Sequence, residues 1–258
     1  MKRIIISDAP IEPGHKLNLI GEKYHYLARV LRCRKGERIM VGDGKGNFFF
    51  GELTDMDRDR IQVDLMEPVR IVWEDRVTTT LVQSLPKGNK IERIIRGATE
   101  LGVTSVLPVN SRRTLTRYDG EKTADKNMRF KRIAQEAARQ CGRPTLPQVG
   151  DIKEFPEFLE EYRTREDSLK LIFWEAEEKF GIYQALKESR PDVKNVVLAI
   201  GPEGGWADEE VQAALRAGFH SIKFGHGILR VETAAIGFLS MIKFYFNMTE
   251  QSLGLAEE

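Results

Sequence analysis

The sequence predicts an α/β protein in which a small β-barrel domain precedes a larger domain of alternating strands and helices. Residues 1–70 contain short β-rich segments separated by glycine, aspartate and proline. From Val77 onward, strand patterns alternate with helix patterns, the order that gives a mostly parallel sheet covered on both faces. The pattern changes around residue 72, so the predicted domains are residues 1–72 and 73–258.

The first domain is predicted to hold five strands and one helix. The segment "GEKYHYLARVLRC" places Tyr26, Leu27, Val30 and Leu31 at helical spacing. The segment "GDGKGN" between two strand patterns predicts a hairpin loop. The strand patterns are "RIIIS", "KLNLI", "ERIMVGD", "NFFFGELTDM" and "RIQVDLM".

The second domain is predicted to alternate five strands with five helices. Gly102 and Gly142 end the first two helices, because glycine adopts the left-handed conformation of a helix C-terminus without strain. The strand patterns are "TTTLVQSL", "SVLPV", "KLIFWE", "NVVLAI" and "HSIKFG". The helix patterns are "KIERIIRGATELGV", "MRFKRIAQEAARQC", "GIYQALKES", "ADEEVQAALRAG" and "VETAAIGFLSMIKFYFNM".

Composition favours a cytoplasmic globular protein and argues against membrane and metal-site classes. Hydrophobic residues make up 41% and charged residues 31% of the 258 residues, and no apolar run reaches the roughly 18 residues of a membrane span. The N-terminal apolar run is too short for a signal peptide. Cys33 and Cys141 are the only cysteines, which indicates a reducing compartment and no disulfide framework. No ligand spacing predicts a metal site.

Charge is distributed unevenly along a chain whose net charge is +1. Residues 87–143 carry 14 Lys and Arg against 6 Asp and Glu, whereas residues 144–258 carry 12 against 20. A basic middle segment is consistent with an anionic partner such as nucleic acid. It is equally consistent with solvated helical faces, so charge alone leaves both interpretations open.

A glycine-rich turn, "LAIGPEGGWADEEV", follows a predicted strand and leads into an acidic helix start. Three glycines allow a ligand to approach the backbone closely at the carboxyl edge of the sheet, where α/β proteins bind ligands. The alternative is a plain strand-to-helix turn. Neither GxxxxGK[ST] nor GxGxxG is present, and nearby carboxylates would repel phosphate. The turn therefore favours a ligand of neutral or positive character.

A second glycine turn, "FGHGILRVETAAIG", follows the next predicted strand. Arg230, Glu232 and Thr233 come directly before an apolar helix. Individually they are explained by helix capping and by an ion pair. Two glycine turns on successive strands are better explained by a shared site.

Together these motifs resemble the ribosomal RNA small subunit methyltransferase E family, whose members use S-adenosylmethionine and have a SPOUT-type α/β domain with a C-terminal trefoil knot behind a PUA-like β-barrel. The resemblance rests on "IGPEGGW", "LRVETAA", "HYLARVLRCRKGE", "QSLPKGNKIERIIRGATELGV" and "RIAQEAARQCGRPTLPQV". Ala207 stands where the family commonly has Ser or Thr, so Asp208 is expected to replace the usual N-cap.

The resemblance implies that S-adenosylmethionine binds among three loops, with backbone groups reading the adenine and apolar side chains forming walls. The implied cofactor-binding residues are Phe173, Glu175, Ala199, Ile200, Gly201, Gly204, Gly205, Phe224, Gly225, Ile228, Leu229, Arg230 and Thr233. The implied reaction is methylation at N3 of a uridine in small-subunit rRNA, U1498 in the family. Deprotonation of N3 requires a base or a stabilising cation. Arg230 is the candidate cation, and Glu232 and Glu203 are candidate bases.

The resemblance further implies RNA-binding surfaces and a homodimer built on the apolar closing helix. The candidate RNA-binding residues are Arg29, Arg32, Arg34, Lys35, Arg112, Arg132, Gln140 and Arg143, each of which also fits an ordinary surface role. Three other functions stay open at this point. They are a SPOUT enzyme that methylates a ribose 2′-hydroxyl or another base, a non-catalytic RNA-binding ribosome-assembly factor, and a nucleotide-binding α/β protein without RNA.

Overall fold

The computed structural model describes residues 1–6, 11–69, 75–118, 121–225 and 227–247. Contacts divide the chain into two compact units. One consists of Met1–Trp73 with Ala138–Leu146, and the other of Glu74–Ala137 with Pro147–Glu258. The predicted boundary near residue 72 falls within 70–74, outside the described residues.

The first unit is built on a five-stranded sheet in the order β1-β3-β4-β5-β2. β1 runs parallel to β3, and the other neighbours are antiparallel. The elements are β1 (Arg3–Ile5), β2 (Lys16–Ile20), α1 (Gly21–His25), β3 (Arg38–Gly42), β4 (Phe48–Met56) and β5 (Arg60–Val69). A π-helical turn, Tyr26–Val30, extends α1. The predicted strands and the helix are therefore present.

Alternation along the strands gives this sheet one buried face. Ile61, Val63 and Leu65 of β5 alternate with less buried neighbours, as expected when one face of a sheet packs on a core. They pack with Leu27 and Ile39 into a single apolar cluster.

The segment 138–146, distant in sequence, is part of this first unit. Arg3 Nη1 donates a hydrogen bond to the Gly142 carbonyl oxygen over 3.0 Å, and the Leu146 N–H donates to the Gly44 carbonyl oxygen over 3.0 Å. A β-bridge joins Lys45 to Thr145. The segment is thus tied to β1 and to the β3–β4 hairpin loop.

The second unit contains a parallel sheet in the order β12-β10-β11-β6-β7-β8, with β9 also paired to β7. The strands are β6 (Thr78–Ser84), β7 (Ser105–Asn110), β8 (Gln148–Val149), β9 (Lys153–Glu154), β10 (Ser168–Phe173), β11 (Asn195–Ile200) and β12 (His220–Ile222). The helices are α2 (Lys90–Glu100), α3 (Glu121–Cys141, which belongs to the first unit from Ala138 onward), α4 (Phe155–Arg163), α5 (Ile182–Lys187), α6 (Asp208–Arg216) and α7 (Val231–Asn247). All pairs assigned between these strands are parallel, which confirms the predicted α/β class. The trefoil knot stays a prediction.

Helices cover both faces of this sheet, and successive residues of β11 point to opposite sides. Leu198 and Ile200 belong to the core that contains residues of α2 and α7, whereas Val197 and Ala199 belong to the core that contains residues of α4 and α6. This is the period-two alternation of a strand buried on both faces.

The sequence pattern missed α4 and placed the start of α3 too late. Phe155, Phe158, Leu159 and Tyr162 are buried at helical spacing. Pro156 argued against a helix in the sequence pattern. Proline nevertheless fits the first helical turn, because an N–H there has no partner within the helix. α3 begins at Glu121 rather than at Met128, since its polar first turns carry little apolar periodicity.

The closing helix α7 is buried along one side only. Phe238, Leu239 and Ile242 are buried, as predicted from its apolar pattern. Phe244 is 65% exposed and Tyr245 37% exposed. An apolar outer face therefore remains on the chain as described.

Candidate functional site

A cavity of about 430 Å³ opens where β10 and β11 end and α7 begins. Neighbouring parallel strands end at the same edge of a sheet, so the segments that follow them meet there. The cavity is lined by Lys90, Phe173, Glu175, Ile200, Gly201, Pro202, Glu203, Gly204, Gly205, Ile228, Leu229, Arg230, Val231, Glu232 and Ala234.

Backbone forms the wall contributed by the turn after β11. Gly205 has φ +68°, and a Cβ there would collide with the Glu175 carboxylate. The Gly205 N–H donates to the Pro202 carbonyl oxygen over 2.9 Å, which closes the turn. At Gly201 a Cβ would lie 3.3 Å from the Trp206 backbone nitrogen. A side chain at Gly205 or Gly201 would therefore disturb the turn.

Glu203 anchors this turn to the start of α2. Its two carboxylate oxygens accept the Lys87 N–H over 3.1 and 3.2 Å, and Lys90 Nζ lies 2.7 Å from Oε1. Burial acts to raise the pKa of the Glu203 carboxyl, but the hydrogen bonds from Lys90 and the backbone outweigh it and lower that pKa. Glu203 is therefore an ionised carboxylate that hydrogen bonds keep in place.

The second glycine turn supplies an exposed apolar wall and two charged groups. Ile228 is 90% exposed, and Leu229 packs partly on the core. The Arg230 carbonyl oxygen accepts the Ala234 N–H over 2.8 Å, so Arg230 adjoins the first turn of α7. The Glu232 Oε2 atom is buried and has no hydrogen-bond partner among the described residues.

Glu232 and Arg230 both lie close enough to Lys90 to affect its pKa. The hydrogen bond to Glu203 raises the pKa of Lys90; the charge of Glu232 adds to this effect and that of Arg230 opposes it. The cavity thus combines two cationic groups with the carboxylate of Glu232, one oxygen of which is buried and has no hydrogen-bond partner among the described residues. Such a site can bind a polar ligand and hold an anion that forms on it.

Four predicted cofactor-binding residues do not line the cavity. Ala199 points into the core on the opposite face of the sheet, because it alternates with Ile200. Phe224 packs edge-on against Phe238, Gly225 has φ +62° in the turn before the cavity, and Thr233 is exposed on α7. In the segment around Phe224, His226 lies outside the described residues.

Lys90, Pro202, Val231 and Ala234 line the cavity but were not predicted as site residues. Lys90 belongs to the first turn of α2, which follows β6, and β6 is the direct neighbour of β11. Strand adjacency is a property of the assembled sheet. The only sequence signal for Lys90 was its place in the motif "QSLPKGNKIER".

Asp208 does not replace the missing N-cap, contrary to expectation. Ala207 is the N-cap of α6 and Asp208 is the first helical residue. Ala207 has no side-chain acceptor, so only half of a capping box forms: the Ala207 N–H donates to Glu210 Oε2 over 3.0 Å.

Four basic candidate RNA-binding residues lie between Tyr26 and β3 of the first unit. Arg29, Arg32, Arg34 and Lys35 are all exposed. Lys35 Nζ lies 3.8 Å from an Asp55 carboxylate oxygen, a weak and exposed ion pair.

The remaining candidates differ in accessibility. Gln140 is exposed; Arg112 pairs with Glu209 at 3.4 Å, and Arg132 with Glu136 at 3.7 Å, both at the surface. Arg143 is only 4% exposed, and its Nε donates to Thr145 Oγ1 over 3.2 Å. The predicted RNA contact of Arg143 does not fit this position, because its guanidinium is held inside the first unit.

Comparison with known proteins matches both units to RNA methyltransferases. Residues 74–243 match a family model described as an RNA methyltransferase domain, and residues 19–66 match an RNA methyltransferase PUA domain. A ribosomal RNA small subunit methyltransferase E from Synechocystis is 37% identical over 227 residues, covering 88% of this chain and 72% of that protein. The enzyme of the same name from Bacillus subtilis is 29% identical, covering 93% of this chain and 94% of that protein.

The chain belongs to the ribosomal RNA small subunit methyltransferase E family. The resemblance predicted from its motifs is thereby confirmed, and the protein is a methyltransferase. A crystal structure of the family member from Neisseria gonorrhoeae, bound to S-adenosyl methionine, is 30% identical with a TM-score of 0.87, covering 96% of this chain and all of that one.

Neither a membrane span nor a metal centre was found in the described parts of this family member. No helix there is long and apolar enough to cross a membrane. No group of three or more His, Cys, Asp or Glu side chains there is arranged to hold a metal ion.

Proposed function

We propose that this protein transfers the methyl group of S-adenosylmethionine to N3 of a uridine in the 16S rRNA of the small ribosomal subunit. The observation that carries the proposal is the cavity between the two glycine turns, where Arg230 and Glu232 stand beside exposed backbone. Relatives named ribosomal RNA small subunit methyltransferase E match most of the chain, which supports the proposal.

The residues of the cavity fit S-adenosylmethionine. Gly201 and Gly205 leave backbone where a side chain would intrude, and Ile228 and Leu229 offer apolar surface for an adenine ring. The exposed carboxylate of Glu175 suits a cationic ligand. When bound, S-adenosylmethionine supplies an electrophilic methyl group on a sulfonium centre, so orientation of the uracil supplies much of the rate.

Glu232 is favoured over Glu203 as the group that accepts the N3 proton. Both oxygens of Glu203 are occupied by the Lys87 N–H and by Lys90, and its lowered pKa makes it a weaker base. Glu232 Oε2 has no partner among the described residues. Because this oxygen is buried, the uracil must displace the groups that cover it before it can accept a hydrogen bond from N3–H and then the proton itself.

Arg230 serves as the orienting cation. It is exposed at the cavity and close enough to Lys90 to affect its pKa. Loss of the N3 proton spreads negative charge over N3 and the uracil oxygens, and a guanidinium can stabilise that charge through paired hydrogen bonds.

The substrate RNA is held by exposed basic side chains. Arg29, Arg32, Arg34, Lys35 and Gln140 are exposed on the first unit, and Arg112 and Arg132 are exposed on the second. Phosphate contacts from such residues give affinity and orientation, while the uridine is selected at the cavity.

A homodimer forms through the outer face of α7. Phe244 and Tyr245 expose aromatic surface one turn after the partly buried Met241. A contiguous apolar face on a monomer is typical of a protein interface, and a second copy presents the matching face by two-fold symmetry.

Methyl transfer from labelled S-adenosylmethionine to small subunits that lack the modification tests the proposal. We expect labelled 3-methyluridine after nuclease digestion, and no label on subunits already methylated. A different methylated nucleoside would place the target at another base or at a ribose. Intact binding to subunits without any transfer would identify an assembly factor instead.

A further inference from the structure

Glu210 is a buried carboxylate that joins two loops of the methyltransferase domain. It is 7% exposed. Oε2 accepts the N–H of Ala207, in the turn after β11, and Oε1 accepts the N–H of Arg112, in the loop after β7, over 2.9 Å. One side chain therefore fixes the backbone of both loops.

A second contact joins the same loops beside the cavity. Arg113 Nη1 donates to the Gly204 carbonyl oxygen over 2.7 Å, and the aliphatic part of Arg113 would lie 3.5 Å from a Cβ on Gly204. Gly204 lines the cavity, whereas Glu210 and Arg113 do not. These two side chains can affect a ligand only through the turn that they hold.

The loop after β7 is itself fixed to the sheet. The hydroxyl groups of Ser84 and Ser111 lie 2.7 Å apart, and the Ser111 N–H donates to Thr114 Oγ1 over 2.9 Å, all buried. The loop that includes Arg112 and Arg113 is therefore a firm support for the glycine turn, because it is attached to the end of β6.

We propose that Glu210 is a positioning residue for S-adenosylmethionine, acting through the backbone of Gly204 and Gly205. The inference rests on the proposed function, since it concerns the ligand of the same cavity. A helix cap alone would need only one of the two oxygens. The second oxygen is directed at a different loop, so the carboxylate sets the distance between the glycine turn and its support.

The test compares Glu210→Gln with Glu209→Gln. In Glu210→Gln one oxygen becomes an NH₂ group that faces a backbone N–H, so one contact turns repulsive. Glu209 is the adjacent carboxylate, but it is exposed and its contact is an ion pair with the Arg112 side chain. Calorimetry should show about tenfold weaker S-adenosylmethionine binding for Glu210→Gln and wild-type binding for Glu209→Gln.

Kinetics separate positioning from general loss of structure. Well below the melting temperature, Glu210→Gln should raise the KM for S-adenosylmethionine about tenfold and leave kcat at saturation within about twofold. A fall in kcat with an unchanged KM would overturn the proposal. RNA affinity at fixed salt should stay at the wild-type value.

Arg113→Met provides a second variant in case Glu210→Gln does not fold. It keeps the apolar stem over Gly204 and removes the donor to its carbonyl oxygen, and Arg113 is exposed. We expect about threefold weaker S-adenosylmethionine binding, the loss of one hydrogen bond at a partly exposed site. Wild-type affinity in the folded variants would refute the inference, whereas no binding to the wild-type protein would refute the proposed function with it.

Discussion

At the scale of single residues, two separate constraints require a glycine at position 205. Its φ of +68° is strained for any side chain, and the space for a Cβ is taken by the Glu175 carboxylate. The carboxylate is the end of a flexible side chain and can move, but the backbone angle cannot change without changing the turn. The first requirement is thus the stricter one.

We expect Gly205→Ala to lower both the stability of the protein and its affinity for S-adenosylmethionine. The left-handed conformation costs an alanine about 1–2 kcal/mol, and relief of that strain would reshape the turn. Gly218→Ala is the matched control, because Gly218 has φ +84° at the end of α6, outside the cavity lining. Both variants should melt earlier in calorimetry, and only Gly205→Ala should bind S-adenosylmethionine weakly; equal affinities would contradict this.

Arg230→Ala should keep the fold and the dimer and lose methyl transfer by about 10²–10³-fold, the usual effect of removing one charge-stabilising donor. Arg230 is exposed, so its removal leaves no buried group without a partner. Arg216→Ala, an exposed arginine in the last turn of α6, is the control. Single-turnover rates would measure the effect. Near-wild-type turnover would contradict the role of Arg230 as the orienting cation.

Some predicted site residues have a local signal in the sequence, whereas the positions of others depend on the assembled fold. Gly201, Gly204, Gly205 and Arg230 line the cavity, and the sequence could point to them because glycine turns and charges near helix starts are local signals. Ala199 was misplaced beside Ile200 because neighbouring strand residues face opposite sides of the sheet. The burial of Arg143 depends on a fold partner far away in sequence, which no local pattern reports.

At the scale of elements, hydrophobic periodicity predicted most strands and helices of both units. It failed where a polar or a proline residue masked the period, at the first turns of α3 and in α4. Hydrophobic periodicity could not predict the strand order. β11 lies between β10 and β6, and the crossovers that produce this order leave no local pattern in the sequence. Lys90 lines the cavity because α2 follows β6, the direct neighbour of β11.

The outer face of α7 should control association. Phe244→Asp places a charge in the proposed interface and should shift the protein from dimer to monomer, since burying an unpaired carboxylate is unfavourable. Tyr183→Asp is the control, because Tyr183 is an exposed aromatic residue on α5. Light scattering after size-exclusion chromatography would measure the mass, and an unchanged dimer would place the interface elsewhere.

At the scale of the whole molecule, the charge pattern predicts salt-dependent RNA binding. Each phosphate contact releases counterions, so replacing one contacting arginine should reduce the slope of log K against log salt by about 0.7–0.9. Arg29→Gln and Arg34→Gln should show this reduction in a filter-binding titration. Arg143→Gln should leave the slope unchanged and lower the melting temperature, because Arg143 is buried. A reduced slope for Arg143→Gln would contradict this assignment.

The assignment of residues 138–146 to the first unit means that the chain crosses between the units three times. The N-terminal unit is consequently not a module that can be cut at a single linker. A fragment ending near residue 73 would leave Arg3 and Gly44 without the partners that Gly142 and Leu146 provide. Transplanting this unit onto another protein would also require residues 138–146, whose first residues are the end of α3, so the unit cannot be moved as one continuous segment.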